Sequence, residues 1–143
     1  MKNLFVILSV MTLWGCQSQK DDSNKQKAEA FVKTYFEHFN RHDFKSMAAM
    51  YVDSADFKDP SFGNGTVKQS QQQTIAKYTE LAKMFPDIRD SVISVYPSDS
   101  SHIVVEFISK GSMPSNTFEL PICTIFTLQN GKITKDFTYY NNQ

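Results

Sequence analysis

The chain has 143 residues, with 15 Lys and Arg against 15 Asp and Glu, so its formal net charge is zero, and the basic residues form no block. That pattern excludes the electrostatic footprint of a nucleic-acid binder or of a protein drawn to an anionic surface by charge. Two cysteines and a length that allows one hydrophobic core after the N-terminus is set aside exclude a disulfide scaffold and a two-domain architecture.

The chain opens on "MKNLFVILSVMTLWGC", with Lys2 near the start, an apolar run from Leu4 to Val10 broken only by Ser9, and the small residue Gly15. This is the pattern of a secretory signal over residues 1–15, and the run is far too short to span a bilayer. "LWGC" resembles the lipobox of bacterial lipoproteins. That resemblance implies cleavage before Cys16, acylation of its thiol and amine, and a stable anchor on a membrane of the bacterial cell envelope. An ordinary soluble export signal with a coincidental cysteine is the alternative. A lipidated Cys16 leaves Cys123 without a partner for an intrachain disulfide. "QSQKDDSNKQ", residues 17–26, has no apolar residue and no period, and is predicted to be a flexible tether.

The folded domain is predicted over residues 27–143. Phe31, Tyr35, His38, Phe39 and His42 recur at helical spacing, widened by Val32 and Phe36. After "NRHD", Asp43 is a candidate N-cap for a short second helix with Phe44, Met47, Ala48 and Tyr51 on one face. "SADFKDP" reads as a brief strand and "SFGNGT" as a loop. Residues 70–85 form a third amphipathic helix through Ile75, Tyr78, Leu81, Ala82 and Phe85, stopped by Pro86. Beyond Pro86 the period falls to two, with runs at residues 92–96, 103–110, 117–128 and 132–140; Asn130-Gly131 marks a tight hairpin between the last two. Helix, helix, strand, helix and four antiparallel strands predict an α+β domain with its three helices on one face of a curled antiparallel sheet.

A curled sheet covered by helices leaves a cone whose wide end can hold a small hydrophobic molecule. Tyr35, Tyr51, Phe57, Tyr78, Phe107, Phe126 and Tyr140 are the aromatic candidates for its wall; each is alternatively an ordinary core residue. Residues 28–141, through "YFEHFNRHDFKSMAAMYVDSADFKDP", "FPD" and "FTLQNGKITKDFTYY", resemble the nuclear transport factor 2-like superfamily, in particular its SnoaL-like polyketide cyclase and ketosteroid isomerase-like branches. The isomerase resemblance implies a base at the aspartate of the "DP" pair, Asp59, and a tyrosine donor to the developing enolate at Tyr35. Such a pair suits proton abstraction beside a carbonyl, because burial raises a carboxylate's basicity and a fixed phenol stabilises charge in the transition state. The third group of that enzyme type, a protonated acid, corresponds here to "LPICTIF", with the weak donor Cys123 nearest the ligand. The cyclase resemblance implies a base on the last strand, where strand alternation puts Asp136, Thr138 and Tyr140 on one face.

Each candidate has a structural alternative: Asp59 as the residue that holds a turn before Pro60, Asp136 as a solvated strand position, Tyr35 as core. His38 and His42 stand one helical turn apart, but no Glu-x-x-His pattern or cysteine cluster accompanies them, so no metal and no cofactor are expected. The chain therefore reads as an exported lipoprotein that binds a small hydrophobic ligand, or as an isomerase- or cyclase-type enzyme with an Asp base. Apolar residues on both faces of "FELPICTIFTL" predict a homodimer, because a sheet face not used by the cone needs cover.

Overall fold

The computed structural model of the protein describes residues 16–114 and 116–141; the signal expected over residues 1–15 lies outside the described residues. Helix α1 (Cys16–Asn40) and the five-residue α2 (Phe44–Ala48) lead into β1 (Tyr51–Lys58). A 3-10 turn (Pro60–Phe62), β2 (Val67–Ser70) and α3 (Gln71–Met84) follow. The chain ends in β3 (Arg89–Pro97), β4 (His102–Met113), β5 (Asn116–Gln129) and β6 (Lys132–Tyr139). The six strands form one curled, unclosed sheet in the order β2-β1-β6-β5-β4-β3. All neighbours are antiparallel except β1 and β6, which run parallel, so the sheet is mixed rather than wholly antiparallel as predicted.

Along α1 the buried residues are Ala28, Val32, Tyr35, Phe36 and Phe39, a stripe at intervals of three and four. The helix also runs through residues 17–26, where composition predicts a tether. Gln and Lys there are adequate helix formers, but residues 22–27 stay exposed or half-exposed and the core begins at Ala28. The helix stops where His42 takes φ 56°, a left-handed conformation that lets the Asp43 N–H bond the His38 carbonyl at 2.9 Å. Asp43 then caps α2 as expected, its Oδ1 accepting from the Ser46 N–H at 3.0 Å. His42 lies beyond the helix end, with Nε2 3.2 Å from the Ile88 carbonyl. His38 Nδ1 is 3.6 Å from the Asp43 carboxylate. Among the described residues no cluster of His, Cys, Asp and Glu is placed to hold a metal.

The predicted β-runs are all present; β3, β4 and β5 extend beyond their apolar segments, and β6 ends one residue short of its run. At the predicted hairpin, Asn130 and Gly131 have φ 52° and 74°, the paired positive values of a type I′ turn. Helix α3 is held at its start by Ser70, whose Oγ accepts from Gln73 N–H while the Gln73 side chain accepts from Ser70 N–H. Strand β2, in the stretch between the predicted loop at residues 61–66 and the predicted helix start at Ser70, pairs with β1 from Ser54↔Ser70 to Phe57↔Val67. Packing joins the layers through aromatic contacts: Tyr35 meets Phe126 at 5.0 Å between centroids, Phe36 meets Phe107 at 4.8 Å, and Phe39 meets Tyr78 at 5.6 Å.

Candidate functional site

The register fixes which side chains share the cavity. On β5 and β6, Phe126 pairs with Asp136 and Thr124 with Thr138; on β3 and β4, Asp90 pairs with Ser109. These six residues, with Tyr140 beyond β6, line a cavity of about 430 Å³ closed by Tyr35, Phe36 and Phe39 of α1 and Tyr78 and Leu81 of α3. The volume and mostly apolar wall with a few converging polar groups are those of a small-molecule site.

Asp136 is 4% exposed and carries three hydroxyl donors. Tyr51 donates to Oδ2 at 2.6 Å, and Thr124 and Thr138 to Oδ1 at 2.7 and 3.1 Å. The Tyr35 hydroxyl is 2.8 Å from that of Tyr51. Each phenol has one proton, and that of Tyr51 is given to Asp136, so Tyr35 donates to Tyr51. The result is a relay from Tyr35 through Tyr51 to Asp136. Burial pushes the Asp136 carboxyl above the ordinary range even though the three hydroxyls favour its ionised form. Burial likewise, with the Asp136 charge second, holds Tyr35 and Tyr51 well above 10 and therefore protonated.

Asp59 combines the two roles that sequence leaves open. Its Oδ1 accepts from the Ser61 N–H at 2.8 Å and caps the turn after "DP"; the same residue lines the cavity. There Lys77 Nζ lies 2.6 Å from Oδ2 and the Tyr140 hydroxyl donates to Oδ1 at 2.8 Å. Burial works to raise this carboxyl, but the Lys77 ammonium and the Ser61 bonds outweigh it and the net shift is downward. Burial and the Asp59 carboxylate push Tyr140 up to about 12. Lys77 also lies 4.1 Å over the Phe62 ring, which fixes its approach to Asp59.

Of the predicted wall, Tyr35, Tyr78, Phe107, Phe126 and Tyr140 line the cavity together with Asp59 and Asp136. Tyr51 and Phe57 do not. They are buried behind it, stacked at 5.1 Å, and Tyr51 acts through its bond to Asp136. Cys123 is a correction: Ile122 and Thr124 point into the cavity, so alternation along β5 turns Cys123 to the opposite face. Asp90, Lys77 and Thr124 were not identified from the sequence. Asp90 reaches the cavity by its pairing with Ser109 across β3 and β4, and no local pattern marks it, because Val92 two positions on is itself exposed. Burial raises its carboxyl to about 7, with partial relief from Ser109.

Residues 32–135 match the family model of the SnoaL-like domain, and the chain belongs to that family. No curated protein matches it in sequence. Solved structures share the fold. SalBIII, an epoxide hydrolase/cyclase-like enzyme of pyran ring formation in the polyether salinomycin, matches with TM-score 0.71 and 17% identity over 82% of this chain and 93% of its own. A protein of ketosteroid isomerase-like fold from Catenulispora acidiphila, solved with trimethylamine, matches with TM-score 0.69 and 16% identity over 78% and 85%. AusH from Aspergillus nidulans matches with TM-score 0.68 and 15% identity over 82% and 85%. At these identities the likeness establishes the fold alone.

Proposed function

We propose that the protein is exported as a lipoprotein, held on a bacterial envelope membrane by acylated Cys16, and that its cone binds a small hydrophobic molecule. In this reading the helices cover the concave face of the sheet, as the contacts of Tyr35 with Phe126 and of Phe36 with Phe107 support. The observation that carries it is the cavity of about 430 Å³ among Phe36, Phe39, Phe107, Phe126, Leu81 and Ile122. Removing an apolar ligand of that size from water releases about 25 cal/mol for each Å² buried, enough for useful affinity without any charge pairing. Mass spectrometry of small molecules released from the purified protein tests it: a retained apolar compound is expected. Release of nothing, together with failure to bind the neutral aromatic probe 2-phenylethanol, ends the reading.

A second reading, an isomerase- or cyclase-type enzyme, is favoured by one observation. Asp136 is a buried carboxylate of raised pKa on the cavity wall, oriented by three hydroxyls, which is how a general base for proton abstraction beside a carbonyl is prepared. Asp59 is a poorer base, because its ion pair with Lys77 and its turn bonds stabilise the carboxylate. Tyr35 has its proton committed to Tyr51 and therefore presents lone pairs to a ligand. Loss of α-proton exchange into deuterated water in Asp136→Asn, with exchange kept in Asp59→Asn, is the expected result for this reading.

A further inference from the structure

Neither reading uses Asp90. Its side chain lines the cavity, the residue is only 9% exposed, and its Oδ1 has no hydrogen-bond partner. The position is held firmly: Asn40 at the end of α1 donates from Nδ2 to the Asp90 carbonyl at 2.8 Å and accepts from the Asp90 N–H at 2.7 Å. A buried polar oxygen without a donor is costly, and native proteins keep few of them.

The cavity cannot supply the missing donor from its own charges. Three carboxylates, Asp59, Asp90 and Asp136, line it with a single cation, Lys77, and that ammonium is already 2.6 Å from Asp59. Asp136 has its three hydroxyls. Phe36 and Phe107, in contact at 4.8 Å, line the same cavity as Asp90, and Phe36 also shares with Asp90 the groove between α1 and β3, where Lys33 is paired with Glu37. Ring faces attract cations, most strongly where water is excluded.

We propose that the ligand of this cavity is an organic ammonium ion with an apolar body, its N–H donating to Asp90 Oδ1 and its body lying between the rings of α1 and the sheet. The assignment rests on the reading of the cavity as a small-molecule site and adds to it the ligand's charge and the residue that selects it. Such a ligand supplies the cation that the three carboxylates lack and ends the isolation of Oδ1. Burial raises the Asp90 carboxyl to about 7, and a bound ammonium, which favours the ionised form, draws a proton off it.

Calorimetry with two probes of equal body and different head, phenethylamine hydrochloride and 2-phenylethanol, tests the assignment at about pH 8, above the Asp90 value. The amine is expected to bind at least about tenfold more tightly than the alcohol, and Asp90→Asn to abolish that preference. In the unmodified protein, the Asp90 carboxyl carbon-13 resonance should shift with the amine and not with the alcohol, a readout independent of how the variant folds. Equal affinities, a preference that survives Asp90→Asn, or an unmoved Asp90 resonance overturns the proposal while alcohol binding leaves the cavity reading intact. Binding of neither probe overturns both.

Discussion

Replacing Asp90 by Asn removes a titrating group from the interior while keeping its shape and both backbone bonds to Asn40. The folded-state value of about 7 lies above the ordinary carboxyl value of 3.8, so between those limits the native state holds a proton that the unfolded chain has released. Stability then falls as pH rises through this window and levels off above it. Holding that proton from 3.8 to about 7 makes the loss about 4 kcal/mol. Asn does not titrate, and the fixed cost of burying its amide is the same at every pH. The stability of Asp90→Asn minus that of the unmodified protein should therefore grow by about 4 kcal/mol between about pH 4 and about pH 8. Urea unfolding at a series of pH values measures both curves, and subtraction cancels the titration of Asp136, present in both. Parallel curves would show that Asp90 is solvated or partnered in solution and would refute the reasoning.

Asp59→Asn should behave in the opposite sense. It removes the ion pair with Lys77 and weakens the Ser61 cap, and is expected to cost about 1–3 kcal/mol at neutral pH. Because the Asp59 carboxyl is lowered in the fold, that cost should fade as the solution is acidified through its folded-state value; an unchanged or more stable variant at neutral pH would restore Asp59 as the cavity base. Cys16→Ser should move the protein from the membrane fraction to a soluble or unprocessed form, and recovery of the natural protein as a soluble species without acyl mass would remove the anchor. Sedimentation should find a dimer at micromolar concentration, the range of ordinary interface affinities, through the face that carries Cys123, Ile125 and the 60%-exposed Ile93. Ile125→Lys should break it, and a monomer well above that range contradicts the assembly.

The helical stripe of α1, the Asp43 cap, the stop at Pro86 and the Asn130-Gly131 hairpin were legible because each is a local decision: side-chain periodicity, a cap, a missing N–H, a positive φ. Strand β2 was not, because four residues carry too little alternation and the strand exists by pairing with β1. The parallel pairing of β1 with β6 is equally a matter of tertiary arrangement, and it sets Phe57 beside Asp136. At the site, the alternation of Asp136, Thr138 and Tyr140 could be read directly, and all three face the cavity. Cys123 was misplaced because a likeness in sequence order does not fix the parity of a strand; one position decides which face a side chain takes. Asp59 gave two answers because it does both things, capping a turn with one oxygen and meeting Lys77 with the other. Lys77 and Asp90 needed the fold, since nothing local announces that a lysine on α3 reaches a carboxylate 18 residues earlier or that an aspartate near a turn is buried.

The central claim, that the cone is a binding cavity, is tested most directly by methyl NMR of the protein titrated with 2-phenylethanol. Leu81, Ile88, Leu120 and Ile122 line the cavity, whereas Ile93 lies exposed and Ile125 alternates away on β5. Binding in the cone predicts shifts that saturate together at the four lining residues and leave Ile93 and Ile125 unmoved. Shifts centred on Ile93 and Ile125, or no saturable shift at the lining methyls, would contradict it.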